Sequence, residues 1–273
     1  MTQLAVTPDS VRWLVSDSLA LARRNLAHVR QIPEKLIDVT VQPLMFVLLF
    51  SFVFGAVIHV PGGSYRQYLI GGILVQTLTF GMMGPAASLA NDLNEGIVDR
   101  FRSLPIVRSA YLIGHVIAEL ATSILGIVVM TASGLIVGWR IHSSFGKAVG
   151  GFGLLVLFAL AMVSIGLLLG ATVRSTDSVQ GVGFLVVFPL TFISNVFVPA
   201  GGLATGLRTV AEYNPVSALA AAVRTLFGNP TAVPNDAAWP LQHPVIAAVA
   251  WSLAILLVSA PLAAHRFRVR TSS

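Results

Sequence analysis

The chain of 273 residues has no cysteine, which excludes disulfides, thiol catalysis and cysteine-based metal sites. It is also poor in charge: Asp, Glu, Lys and Arg make up only 10% of it, against about a quarter in ordinary soluble domains. A P-loop is missing. Gly146-Lys147 is followed by Ala148, and Ile141 stands where the motif needs its first glycine, so the chain is not expected to hydrolyse ATP by itself. Gly181 and Gly183 begin a G-x-G, but Val186 occupies the third glycine position of a dinucleotide site, and these glycines read as helix-packing residues. His28, His59, His115, His142, His243 and His265 are scattered without H-x-x-x-H spacing, which speaks against a metal site. Met1 to Gln31, studded with Arg12, Arg23, Arg24 and Arg30, has no uninterrupted apolar core, so no cleavable signal peptide is expected.

What the chain has is apolar length. With 55% hydrophobic residues and a mean hydropathy of +0.83, it reads as an all-α integral membrane protein. A bilayer core of about 30 Å requires about 20 residues per helical span. Segments at roughly 36–58, 67–90, 109–138, 148–173, 178–198 and 245–264 meet that requirement. Six transmembrane helices then fill a single domain over 1–273, with no room for a soluble catalytic domain. Residues 9–31 pattern as an amphipathic helix, with Val11, Leu14, Leu26 and Val29 on one side and Arg12, Ser16, Arg23 and Arg30 on another. This is expected to lie in the membrane interface; a solvated helix packed on another subunit is the competing reading. Between the fifth and sixth spans, Val216 to Phe227 is apolar but too short to cross a bilayer. Pro199, Gly201, Gly202 and Gly206 break the chain before it, and Asn214-Pro215 has the form of a helix start. Two short helices re-entering the outer leaflet over 199–227 are expected, lining a subunit interface or exit path, with a pair lying on the outer surface as the alternative.

One charged island interrupts the apolar blocks: Asn91 to Arg108, NDLNEGIVDRFRSLPIVR. Written as a helix over 91–105, Leu93, Ile97, Phe101 and Leu104 share a face, Asp92, Glu95, Asp99, Arg100 and Arg102 occupy the others, and Pro105 ends it. A charge run alone is most simply a solvated face. The wording EGIVDRFRSLP, in its place after the second span, resembles the cytoplasmic coupling helix of ABC-2 type transporter permeases, especially the daunorubicin-resistance type of drug-efflux permease. The sequences NVFVP at Asn195 to Pro199 and NPVSALAAAVR at Asn214 to Arg224 resemble the outer re-entrant element of the same family. The resemblance implies that Leu93, Glu95, Gly96, Ile97, Asp99, Arg100, Phe101, Arg102, Leu104 and Pro105 dock an ABC ATPase subunit. It also implies that ATP and Mg are bound by that partner, with no cofactor in this chain, and that a second permease copy or a similar permease completes the pathway.

Placed with the N-terminus inside, twelve Lys and Arg fall on the cytoplasmic side and five (Arg66, Arg140, Lys147, Arg208, Arg224) outside, which favours cytoplasmic termini in a plasma membrane protein. The net charge of +6 is then explained by anionic membrane lipid, without nucleic acid. Glu119, inside the third span, is either a functional acid or a structural hydrogen-bonding group. Phe46, Phe50, Phe80, Met82 and Asn195 join it as candidates for the substrate path, the aromatic and methionine side chains offering adaptable apolar contact. The leading expectation is the permease subunit of an ABC exporter of amphiphilic drug-like or lipid-like molecules. A proton-coupled secondary transporter using Glu119 is the alternative, and an assembly factor without transport activity is a third reading.

Overall fold

The computed structural model describes Val41 and residues 44–55, 58–96, 108–173 and 175–272. The expected interfacial helix at 9–31 lies outside these. Among the described residues the fold is all helix, with no strand. It begins with α1 (Leu44–Phe54), whose last turn widens into a π-helix at Phe50–Phe54. Then come α2 (Tyr65–Phe80), α3 (Met83–Asn94), α4 (Arg108–Ile136), α5 (Phe145–Thr172) and α6 (Thr176–Phe192). The connection that follows α6 carries α7 (Thr205–Tyr213), α8 (Pro215–Phe227) and the single turn α9 (Trp239–Gln242), and α10 (Pro244–Ser272) closes the bundle.

Four helical stretches are long and apolar enough to cross a bilayer: Tyr65–Asn94, Tyr111–Ile136, Phe145–Thr172 and Pro244–Arg270. They coincide with the second, third, fourth and sixth expected spans. The first and fifth hold shorter apolar helices, Leu44–Phe54 and Thr176–Phe192. Within the first stretch α2 and α3 are divided at Gly81 and Met82. Pro85 supplies no N–H to the carbonyl of Gly81, and the backbone tightens there into bonds three residues apart such as Met82 N to Thr79 O at 3.5 Å.

α6 stops where Pro189 precedes an irregular residue, Ile193, at φ −91° and ψ 59°. Its last carbonyls are not orphaned, because Asn214 Nδ2 donates to Leu190 O and Ile193 O, both at 2.7 Å. The same side chain accepts from Val216 N at 2.8 Å, capping α8, whose first residue is Pro215. One asparagine thus fixes both ends of the break between α6 and α8.

α5 is the axis of the bundle, packed on α10, α3, α8 and α4. α8 is no surface helix: Val216 to Arg224 are buried among α2, α5 and α10. Its end fits under the α4–α5 turn, where Gly228 takes φ +69°. A Cβ there would lie 3.0 Å from the backbone of His142 and Ser143. Trp139, fully buried, donates Nε1 to Asn229 Oδ1 at 2.8 Å, and Asn229 Nδ2 donates to Arg140 O at 2.9 Å. Large apolar side chains remain open on α1 and α6, including Phe52 at 70% and Leu185 at 74% exposure, a surface suited to lipid or to another apolar helix.

Candidate coupling site where α3 and α4 meet

The charged island begins on the last turn of α3, and the helix stops there. Glu95 N–H bonds Asn91 O, and Gly96 adopts the left-handed conformation at φ +65° that ends helices at little strain only in glycine. Of the helix expected over 91–105, Asn91 to Asn94 belong to α3, which ends before Gly96. Glu95 is exposed and accepts from Asn91 Nδ2 at 2.9 Å. Ile97, Asp99, Arg100, Phe101, Arg102, Leu104 and Pro105 lie outside the described residues.

Leu93 is half-buried and packs inward on Leu89, Tyr111, Val163, Leu167, Ala171, Ala263 and Phe267. Two polar arrangements flank this cluster. Arg270, near the end of α10, donates Nη1 to Val173 O at 2.7 Å and Gly170 O at 3.1 Å, covering the open carbonyl end of α5, where a cation also meets the negative end of the helix dipole. Its Nη2 reaches Asn94 Oδ1 at 3.2 Å. The departure point of the charged island is therefore tied to α5 and α10 through one guanidinium.

Across from it, Tyr111 Oη donates to Asp92 Oδ2, and His115 Nε2 lies 3.2 Å from that oxygen and 3.0 Å from the Tyr111 hydroxyl. The Tyr111 ring stacks on Phe267 at 5.5 Å. Asp92 closes α3 and Tyr111 opens α4, so the trio holds together the two ends of the chain that enters and leaves 97–107. Glu119 continues the Tyr111–His115 row at the same four-residue spacing. It is half-buried, with its carboxylate 3.4 Å from where a Cβ on Gly84 would lie.

α3 also meets α5 backbone to backbone. A Cβ on Gly166 would lie 2.3 Å from Met82 O, and one on Gly170 would lie 2.5 Å from Ala86 O. These glycines form a G-x-x-x-G seam, which lets two apolar helices approach without intervening side chains. The seam packs the first half of α3 directly on α5.

The other sequence-named residues are not gathered into one site. Met82 is buried at the glycine seam. Phe80 meets Phe184 edge-on at 6.0 Å. Phe50 stacks on Phe46, Phe54 and Phe197, and Phe197 continues to Phe192 and Phe188, a row joining α1 to α6. Asn195 is buried beside this row, against Arg224. Sequence reasoning passed over Asp92, His115 and Arg270 as ordinary polar residues, although Tyr111 and His115 at four-residue spacing inside an apolar helix are a readable signal. Among the described residues no group of His, Cys, Asp and Glu suited to a metal was found.

A helical bundle with four apolar stretches long enough to cross a bilayer has the architecture of a multi-pass membrane protein. The ABC-2 type transporter family matches residues 17–227, and the chain belongs to that family. It is 29% identical over 212 residues to the daunorubicin resistance ABC transporter permease protein DrrB1 of Streptomyces coeruleorubidus, covering 78% of this chain and 75% of that one. It is 22% identical over 272 residues to a Mycobacterium tuberculosis protein named "Probable doxorubicin resistance ABC transporter permease protein DrrC", covering 99% and 95%. The doxorubicin resistance permease DrrB of the same organism is 25% identical over 195 residues, covering 71% and 66%.

Proposed function

We propose that the chain is the membrane-spanning subunit of an ABC exporter that moves an amphiphilic drug-like or lipid-like molecule out of the cell. A separate ATPase drives it, docking on the segment between Asn94 and Arg108 and binding ATP and Mg itself. Family membership, with relatives named for daunorubicin and doxorubicin resistance, is the observation that carries this reading. The bracing of Asn94 by Arg270 and of Asp92 by Tyr111 and His115 supports a mechanical role for that connector. In this mechanism ATP closure moves the connector, α3 shifts with it, and the glycine seam passes the shift to α5. Both termini and the connector then face the cytoplasm of a plasma membrane, and a second permease copy or a similar permease completes the path.

Arg100→Glu and Arg102→Glu test the docking. Each is expected to lower ATPase co-purification and drug efflux roughly tenfold, the effect of about 1.4 kcal/mol. Unchanged co-purification and efflux in both variants overturns the assignment.

A further inference from the structure

Arg224 is fully buried in α8, and among the described residues its hydrogen-bond partners include no carboxylate. Its Nε donates to Tyr68 O at 2.8 Å, and its Nη2 to Asn195 O at 3.1 Å and Val196 O at 3.0 Å. A weaker contact joins Nη1 to Asn195 Oδ1 at 3.4 Å. The guanidinium carbon lies 3.5 Å from the centroid of the Tyr68 ring, and the Tyr68 hydroxyl donates to Asn195 O. Tyr65 Oη donates to Phe197 O at 3.0 Å, and Ser217 Oγ accepts from Asn195 N at 3.0 Å.

The backbone approach that permits this needs glycine on α2. A Cβ on Gly72 would lie 2.3 Å from Val196 O and 2.8 Å from Arg224 Nη2, and one on Gly71 would lie 2.9 Å from Arg224 Cγ. A charge in a membrane protein's interior is costly, pairs with other charges or with backbone carbonyls, and marks a functional position. Here it joins three chain segments: α2, α8 and the irregular turn that follows α6.

α2 runs into α3 as one apolar stretch of 30 residues, Tyr65–Asn94. Gly72 and Asn94 are about 33 Å apart along it at helical rise. The α3 end of this stretch leads to the connector, and the α2 half, beyond the division at Gly81 and Met82, carries the Arg224 clamp. We propose that Arg224 is a positioning residue for transport: it makes the 195–197 turn move with α2, so that a shift imposed at Asn94 reaches the far end of the pathway. This rests on the transporter reading above. Arg224 touches no cargo in this role; it transmits motion through the turn.

Three variants isolate the clamp. Arg224→Lys keeps the charge, but a single ammonium cannot serve Tyr68 O, Asn195 O and Val196 O together as the planar guanidinium does. Arg224→Gln removes the charge. Gly72→Ala keeps Arg224 and pushes Val196 away. In membrane vesicles with the co-expressed ATPase, at matched permease abundance, each is expected to let ATP hydrolysis continue while molecules exported per ATP fall about tenfold, within the usual span of coupling energies. A second readout needs no transport. The natural chain has no cysteine, and Val196 is fully buried, so a lone Val196→Cys should react slowly with a thiol reagent. It should react about tenfold faster when Arg224→Gln is added, because the turn then opens locally.

Export per ATP unchanged in all three variants overturns the proposal, as does export falling only in step with abundance, and so does a Val196→Cys labelling rate indifferent to Arg224. If the unaltered permease exports nothing with its ATPase while the labelling still responds to Arg224, the clamp stands and the transporter reading fails.

Discussion

The α3–α5 seam makes a prediction whose sign opposes that of helix propensity. In a helix interior, replacing glycine by alanine is favourable by about 1 kcal/mol. On α5 that gain should be realised at Gly153, which is exposed and where an added Cβ meets nothing within 4 Å. At Gly166 the same methyl would lie 2.3 Å from Met82 O and 2.8 Å from Pro85 Cγ. A carbon and a carbonyl oxygen need about 3.3 Å, so the two backbones must separate by about 1 Å. Neither obstacle is the far end of a flexible side chain. Overpacking of this kind costs about 1–3 kcal/mol, and the packing of Met82, Ala86 and Leu89 on α5 is lost with it. The net expectation is a destabilisation of about 1–2 kcal/mol for Gly166→Ala, larger when Gly170→Ala is added, and a neutral or stabilising Gly153→Ala. Unfolding in detergent, followed by helical circular dichroism or by loss of the monodisperse peak on heating, reads the difference. Gly166→Ala as stable as Gly153→Ala would refute the close seam.

Asn214→Ala should destabilise the protein by about 1–3 kcal/mol, since it removes the α8 cap and takes the donor from the half-buried carbonyls of Leu190 and Ile193 at the end of α6; Asn214→Asp should be no better, because it keeps the cap acceptor but loses both donors, and a wild-type melting curve for Asn214→Asp would contradict this. Trp139→Phe should cost about 1–3 kcal/mol by leaving Asn229 Oδ1 without its indole donor, measurable by the same melting assay, with an unchanged midpoint counting against the bond. On the connection between α6 and α10, Arg208 Nη2 donates to Asp236 Oδ1 at 2.7 Å, and that hydrogen bond holds the Asp236 carboxyl below its ordinary value of 3.8. The tether is accordingly present above pH 3.8 and lost as the pH falls below that value through the lowered one. Proteolysis of the 229–238 loop should rise across that acid range in the unaltered protein and show no such step in Asp236→Asn; identical acid profiles would remove the tether from consideration.

The apolar runs carried the helical class and the positions of four spans, because hydrophobic length alone decides what crosses a bilayer. Asn214-Pro215 was legible for the same local reason, a capping residue before a proline suited to a first turn. The end of α3 was legible in principle too: Gly96 after Asn94-Glu95 is a helix stop, but the apolar spacing through Leu93, Ile97 and Phe101 concealed it. Gly166-Leu-Leu-Leu-Gly170 carries a packing motif that blends into an apolar run rich in glycine. The Arg224 clamp was not legible at all. Its partners are backbone carbonyls at Tyr68, Asn195 and Val196, which no side-chain pattern announces, and in a topology count Arg224 passes for one more outward-facing cation.

The most direct measurement is drug export from vesicles containing this permease and its co-expressed ATPase, with the proton gradient collapsed by an ionophore. Export that continues, requires ATP and falls about tenfold with Arg100→Glu is the expected result. Export that stops with the gradient and ignores ATP would contradict an ATP-driven permease and move attention to Glu119.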